Sequence, residues 1–395
     1  MQTVCELNKC AGCMACLDIC PRGAIKIVDD LAAYNAMIDS DKCVDCGLCH
    51  NVCPNNHKLP LTEPIMWVQG WAKKEFERAQ SSSGGFATAI AKSFVNFGGY
   101  VCSCLFENGE FRFKIENTVA GVEKFRGSKY VKSNPDGVYS NIKKLLSQNN
   151  KVLFIGLPCQ VAGVQNFVGT KLQNNLYTID LICHGTPSPQ MLEMYLLQDF
   201  RLNIRQLSKI GFREKTTFDL KNDQKRLLPN RVQDKYTMAF LDGMNYTENC
   251  YSCRYATKKR VSDLTVGDSW NSNLSIEEQR KGISLALCQN EKGKWLLDIA
   301  DLEIFDVDAE KAIKGNRQLQ KPSPITEEYN RFMKSMKKYR RFSLAVAAAE
   351  PRKCLRQDIK TLLYKWKILR GGGVSNTYQI TYQIDTEGQH AKQMS

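Results

Sequence analysis

Between residues 65 and 290 the chain alternates short apolar runs with stretches of helical periodicity. Ile65–Trp71 predicts a strand. Ser81-Ser82-Ser83-Gly84-Gly85 opens an apolar-periodic stretch, Phe86–Phe97, which Gly98-Gly99 closes; this predicts a helix. Tyr100–Phe106 and Phe111–Ile115 predict paired strands around Glu107-Asn108-Gly109. Val138–Leu146 and Gln190–Phe200 read as helices. Lys151–Ile155 and Leu176–Ile182 are short apolar runs bounded by glycine and polar turns, as in buried parallel strands of an α/β layer. Further strands are expected at Ser208–Phe212, Leu264–Val266 and Ile283–Leu287, and a helical, basic stretch at 325–370. Gly371-Gly372-Gly373 breaks that stretch, and the polar remainder to Ser395 reads as a loose tail.

Residues 1–60 show neither period; they are dense in cysteine and poor in aromatics. Asn55–Pro64 reads as a linker. The expectation is an α/β (α+β) protein: an N-terminal domain at 1–60, an α/β body at 65–325 with parts near 65–150 and 151–325, a basic helical arm at 326–370 and the tail at 371–395.

Composition narrows the class. At 43% hydrophobic and 24% charged residues in 395, wholesale disorder is excluded. The first residues lack a basic segment followed by an apolar run, and Leu344–Ala349 is too short to span a bilayer. A soluble, cytoplasmic protein without a transmembrane segment is expected. Seventeen cysteines in such a chain point to metal, because disulfide frameworks belong to small secreted domains.

Their spacing decides the first site. Cys10-x2-Cys13-x2-Cys16-x3-Cys20-Pro21 and Cys43-x2-Cys46-x2-Cys49-x3-Cys53-Pro54 repeat the two-cluster bacterial ferredoxin pattern. Three close cysteines wrap one face of a cubane, and the fourth, before the proline, ligates the other cluster. Cys10, Cys13, Cys16 and Cys53 are thus expected to hold one 4Fe–4S cluster, and Cys43, Cys46, Cys49 and Cys20 the second. Four thiolates close each cluster, so it exchanges electrons and does not activate substrate. A pair of zinc sites is the weaker alternative.

Of the remaining nine, Cys159 follows one apolar run, Cys183 ends the other, and Cys250-x2-Cys253 forms a pair. These four make a candidate four-thiolate site, for which spacing leaves zinc, iron–sulfur and coincidence open. Cys5, Cys102, Cys104, Cys288 and Cys354 are read as small buried hydrophobes.

The charge is uneven. Lys and Arg exceed Asp and Glu by 55 − 41 = 14, and residues 331–370 alone contribute 13 − 2 = 11 of that. Phe332, Tyr339, Phe342, Tyr364 and Trp366 are interleaved with those cations. A nucleic acid, an anionic membrane surface, an acidic electron-donor protein or a phosphorylated sugar would each suit this arm, as would plain solvent. Ser82, Ser83, Gly84 and Gly85 before a helix offer backbone N–H groups to a cofactor phosphate, or simply cap the helix. His184 is a weak candidate for proton delivery. Asp263 and Asp268 flank a short strand and read as solvated or strand-capping.

Several stretches in order carry a resemblance: Ser81–Gly85, Arg126–Val131, Gly156-Leu157-Pro158-Cys159-Gln160, Ile179–Pro189, Cys250–Cys253, Ser262–Trp270 and Lys281–Ser284. On these, the chain resembles the beta subunits of coenzyme F420 hydrogenases and dehydrogenases, in the ferredoxin-fused bacterial form of that family. The resemblance covers roughly residues 1–345. It implies FAD in the body, bound near Ser82, Ser83, Gly84, Gly85, Lys129 and Pro158. It also favours a third 4Fe–4S cluster at Cys159, Cys183, Cys250 and Cys253. Leu157 stands where the family usually has threonine, and Phe218 follows Phe212-Arg213-Glu214-Lys215 without the usual Gly-Trp pair. Homologues among polysaccharide-assembly enzymes make a sugar-linked substrate conceivable. The function expected is an iron–sulfur flavoprotein oxidoreductase, coupling a one-electron carrier (a ferredoxin-like or reductase partner) to a two-electron acceptor or donor. A non-catalytic electron-transfer adaptor and a nucleic-acid-binding protein with structural clusters are the alternatives.

Overall fold

The computed structural model describes residues 2–223 and 225–369; the expected tail at 371–395 lies outside the described residues. An eight-stranded mixed sheet organises the body. Its order is Leu302–Asp306, Met66–Ala72, Ser284–Cys288, Leu264–Asp268, Leu176–Leu181, Val152–Gly156, Tyr100–Glu107 and Glu110–Glu116. The four strands from Leu264–Asp268 to Tyr100–Glu107 are parallel to one another. The remaining pairs are antiparallel. Val152–Gly156 is buried at every position, which is why it reads as a continuous apolar run without alternation. Helices Phe86–Asn96, Val138–Ser147, Pro158–Val168 and Glu291–Asp298 flank the sheet and bury its apolar side chains.

The strands expected near 65–71, 100–115, 151–155, 176–182, 264–266 and 283–287 are present, with ends displaced by a few residues. Ile210–Glu214 leaves the main sheet and joins Thr217–Asn222 and Lys225–Arg226 in a small antiparallel sheet. Residues 25–38, without an element in the sequence reading, form a hairpin of Ile25–Asp29 and Tyr34–Ile38, extended by Gln2–Thr3. Short helices Ala15–Ile19 and Leu48–Val52 follow the first cysteines of each run.

The N-terminal segment is not held at arm's length. Val4, Ala15 and Ile25 share one apolar cluster with Val138, Tyr139, Phe154 and Val164 of the body. The basic stretch is likewise built in. It forms three helices, Glu327–Tyr339, Phe342–Ala349 and Pro351–Lys365, and the first two bury Phe332 and Phe342 completely. Phe342 packs against the rings of Tyr195, Tyr236 and Phe332. Those two aromatics are core, and only the outer part of this stretch faces solvent. Among the described residues no helix is long and apolar enough to cross a membrane.

Candidate functional site

Two cavities lie in the N-terminal segment. One is ringed by Cys10, Cys13, Cys16 and Cys53, with Cys5 beside them; the other by Cys20, Cys43, Cys46 and Cys49. The chain thus draws the fourth cysteine of each run to the other run's triplet. The backbone explains how. Helix Ala15–Ile19 starts at Met14 and helix Leu48–Val52 at Gly47, both left-handed, which folds each Cys-x2-Cys turn tightly; Cys20 and Cys53 then leave their helices in extended conformation. Each cavity is a ring of thiols. Soft thiolates around a cavity fit the corner ligands of a multi-iron cluster. Burial raises the Cys13 thiol to about 12; the hydrogen bond with Cys10 raises Cys5 to about 11, with burial adding to it. Thiolates here therefore need a cationic centre.

Cys5 stands apart from the sequence reading. It is buried, but it faces the first cavity, and Asn55 Nδ2 lies 3.7 Å from its Sγ. The two cavities also differ in access. Cys10, Cys13, Cys16 and Cys53 are buried, whereas Cys46 is exposed and Cys20, Cys43 and Cys49 are half-buried.

The second cysteine set converges from three segments: the first turn of helix Pro158–Val168 with Cys159, the loop after Leu176–Leu181 with Cys183, and the turn that carries Cys250 and Cys253. Cys159 lies in the electrostatic range of Cys253 and Cys183, Cys183 in that of Cys250 and Cys253, and Cys253 in that of Cys250. Burial drives Cys159 well up, Cys183 to about 12 and Cys253 to about 11. Thr247 N–H donates to Thr186 O, which ties the Cys183 loop to the Cys250 turn, and both threonine hydroxyls sit beside Cys250 Sγ, that of Thr186 at 3.8 Å and that of Thr247 at 3.7 Å.

This set adjoins the first cavity. Cys159 feels the charge of Cys13, and helix Pro158–Val168 passes so close that a Cβ on Gly163 would lie 3.2 Å from Cys13 Cβ. Tyr139 Oη donates to Cys13 O at 2.7 Å, and Asp18 accepts the N–H groups of Tyr139 and Ser140 at 2.8 and 3.2 Å. Asp18 so caps helix Val138–Ser147, whose own N-cap, Gly137, has no side chain to do it. Lys132 completes the seam. It is buried, donates to Ala11 O at 3.2 Å, lies over the Tyr34 ring and holds its charge near Cys159. Sequence reasoning missed Lys132, although it stands next to the Arg126–Val131 motif.

The other motif stretches meet around Ser81–Gly85. Gly85 caps helix Phe86–Asn96 at φ +97°, with no side-chain cap on the first turn. Ser128 N–H donates to Ser82 Oγ at 3.1 Å, and Ser83 Oγ donates to Ile283 O at 2.8 Å. Gly84 cannot carry a Cβ, which would meet Gly70 O at 2.3 Å. Lys129 is turned away: its ammonium donates to Phe125 O and Arg126 O at 2.6 and 3.3 Å, and desolvation lowers its pKa. The cation that touches the loop is Lys215, which donates to Ser83 O at 3.0 Å and to Arg78 O. Desolvation, then the Arg78 and Arg213 charges, bring Lys215 down to about 8. Pro158 is buried at the first position of its helix, a role its fixed φ suits.

Arg213 grips Asp268 through two bonds of 2.6 Å and lies over the rings of Phe218 and Trp270. It had no assigned role in the sequence reading. His184 sits near this pair, and burial lowers its pKa to about 4, which favours the neutral imidazole. Asp263 accepts from Thr178 N–H at 2.7 Å and from Asn290 Nδ2 at 2.8 Å, a structural tie.

Residues 9–57 match the 4Fe-4S dicluster domain model. Residues 149–310 match the model for the C terminus of the coenzyme F420 hydrogenase/dehydrogenase beta subunit. A component of the F(420)H(2) dehydrogenase of Methanosarcina mazei is 23% identical over 287 residues, 68% of this chain and 79% of the relative. A solved chain of the F420-reducing nickel–iron hydrogenase complex from Methanosarcina barkeri aligns at a TM-score of 0.45 and 15% identity, covering 70% of this chain and 95% of that one.

Proposed function

We propose that this chain, whose residues 149–310 match the model for the C terminus of the coenzyme F420 hydrogenase/dehydrogenase beta subunit behind a match to the 4Fe-4S dicluster domain, is an iron–sulfur flavoprotein that relays electrons inward from a redox partner. The observation that carries the reading is the line of three thiol sets: the accessible ring with Cys46, the buried ring with Cys13, and the set with Cys159 adjoining Cys13. The ligands are Cys20, Cys43, Cys46 and Cys49 for the outer cluster, Cys10, Cys13, Cys16 and Cys53 for the inner one, and Cys159, Cys183, Cys250 and Cys253 for a third.

When bound, the clusters pass single electrons and an FAD exchanges them for pairs. The chain's own residues set the conditions. Tyr139, Asp18 and Lys132 fix the inner ring against the third set, so spacing stays constant from turnover to turnover. Lys132 offers positive charge where an added electron raises the negative charge of the thiolate set. Ser82–Gly85, the uncapped first turn after Gly85 and the Lys215 ammonium present N–H donors and a cation, the chemistry that receives a cofactor diphosphate.

Anaerobic purification with iron, sulfide, zinc and flavin measured on one sample tests the proposal. About twelve irons with equal sulfide and about one flavin per chain is the expected result. About eight irons, one zinc and no flavin would overturn it and leave a one-electron adaptor.

A further inference from the structure

We propose that the last helix docks on an anionic lipid surface. Helix Pro351–Lys365 rests on the body through its Cys354 and Gln357 side and turns the opposite side to solvent. There Leu355, Ile359, Leu362 and Trp366 follow at spacings of four, three and four, one stripe of a 3.6-residue helix. They are 62%, 47%, 45% and 67% exposed, and Ile368 and Leu369 prolong the patch. Exposed apolar side chains that continue in a row mark a surface made to be covered.

Charge selects the cover. Arg352, Arg356 and Lys360 recur every fourth residue along one flank of the stripe, and Lys365 and Lys367 stand at its end. An apolar stripe with a cationic border and a tryptophan at its tip matches the acyl boundary of a bilayer, with phosphate headgroups beside it. A nucleic acid would use the cations but has no place for four apolar side chains. The short apolar length lies in the interface and does not cross it. This surface is remote in kind from the cysteine sites, and the inference stands without any cofactor assignment.

The test is flotation of the full chain with vesicles of phosphatidylcholine alone or mixed with phosphatidylglycerol, at low and raised salt. The expected result is binding to the anionic vesicles only, weakened by salt, with a blue shift in tryptophan emission that Trp366→Phe abolishes. Each cation removed should weaken binding about fivefold, so Arg352→Gln with Lys360→Gln costs about 25-fold. Leu362→Glu should cost about tenfold or more. Circular dichroism and cluster absorbance identical to the parent show that these surface variants remain folded. Equal binding to neutral vesicles, binding indifferent to all these variants, or no binding at all would overturn the proposal. So would a dimer that forms without lipid and dissolves in Leu362→Glu, since a second copy would then cover the stripe.

Discussion

Replacing Tyr139 by phenylalanine isolates the seam between the N-terminal segment and the body. The side chain is fully buried, and its ring contacts with Phe154 and Phe167 survive the change. Only the hydroxyl goes, and with it the 2.7 Å bond to Cys13 O. A lost buried hydrogen bond costs about 1 kcal/mol net, and stranding the Cys13 carbonyl raises that to about 1–3 kcal/mol. A loss of about 1–2 kcal/mol is a factor of about 5–30 in the closed-to-open ratio of the seam. Protein with bound cofactors rarely unfolds in two states, so global denaturation is a poor reporter. Native-state hydrogen exchange by mass spectrometry reads the local opening directly. Amides of Val138–Ser147 and of Ala15–Ile19 should exchange about 5–30 times faster in the variant, and amides of Glu291–Asp298 should not change. Asp18→Ala should act on the same two segments, and the double variant should fall short of the sum, because both residues serve one joint. Unchanged exchange on both sides of the seam would refute the idea that Tyr139 and Asp18 lock the inner ring in place.

Combinations of cysteine substitutions test the cross-pairing: Cys10→Ala with Cys53→Ala should remove one cluster, about four irons, whereas Cys10→Ala with Cys20→Ala should remove two, about eight irons by elemental analysis. Gly163→Val should eliminate the inner cluster and spare the outer one, seen by electron paramagnetic resonance, because even a Cβ meets Cys13 at 3.2 Å. Arg213→Gln strips Asp268 of its bidentate partner and should destabilise the chain by about 3–5 kcal/mol, read as a lowered melting temperature that Asp268→Asn partly restores. Lys215 is held at about 8 in the folded chain against an ordinary 10.5, so its buried charge opposes folding at pH 7 and that cost fades as pH rises from 8 to 10.5. The melting-temperature difference between Lys215→Met and the parent should accordingly move in the parent's favour over that window.

The cysteine runs were legible because their chemistry is written in local spacing: the cross-paired rings expected from x2-x2-x3 are the rings that line the two cavities. The parallel strand 152–156 was legible because burial at every position makes it continuously apolar, and its neighbour 176–181 because apolar Leu176, Ile179 and Leu181 outweigh the buried Thr178 and Asp180. Long-range charge pairing left no such trace. Nothing in the neighbourhood of Arg213 announces Asp268, 55 residues away, or that Lys215 and not Lys129 would reach Ser83. The hairpin at 25–38 was hidden because its strands are short and sit among cysteines. The core positions of the basic helices were hidden because a high density of lysine and arginine masks the apolar positions between them; Phe332 and Phe342 hold two of those positions and enter the core.

The exchange of fourth cysteines between the two runs has a consequence for biogenesis. As the chain leaves the ribosome, the first run emerges with three thiols for one cubane and a single thiol for the other. Neither ring closes until the second run has followed, so a truncated nascent chain offers an iron donor only incomplete sites. Even then the inner ring lacks its wall, because Tyr139 and Gly163, which seal Cys13, are more than a hundred residues from it in sequence. The surroundings of the inner ring are thereby completed only after Gly163 has emerged, long after the outer ring has all four of its thiols.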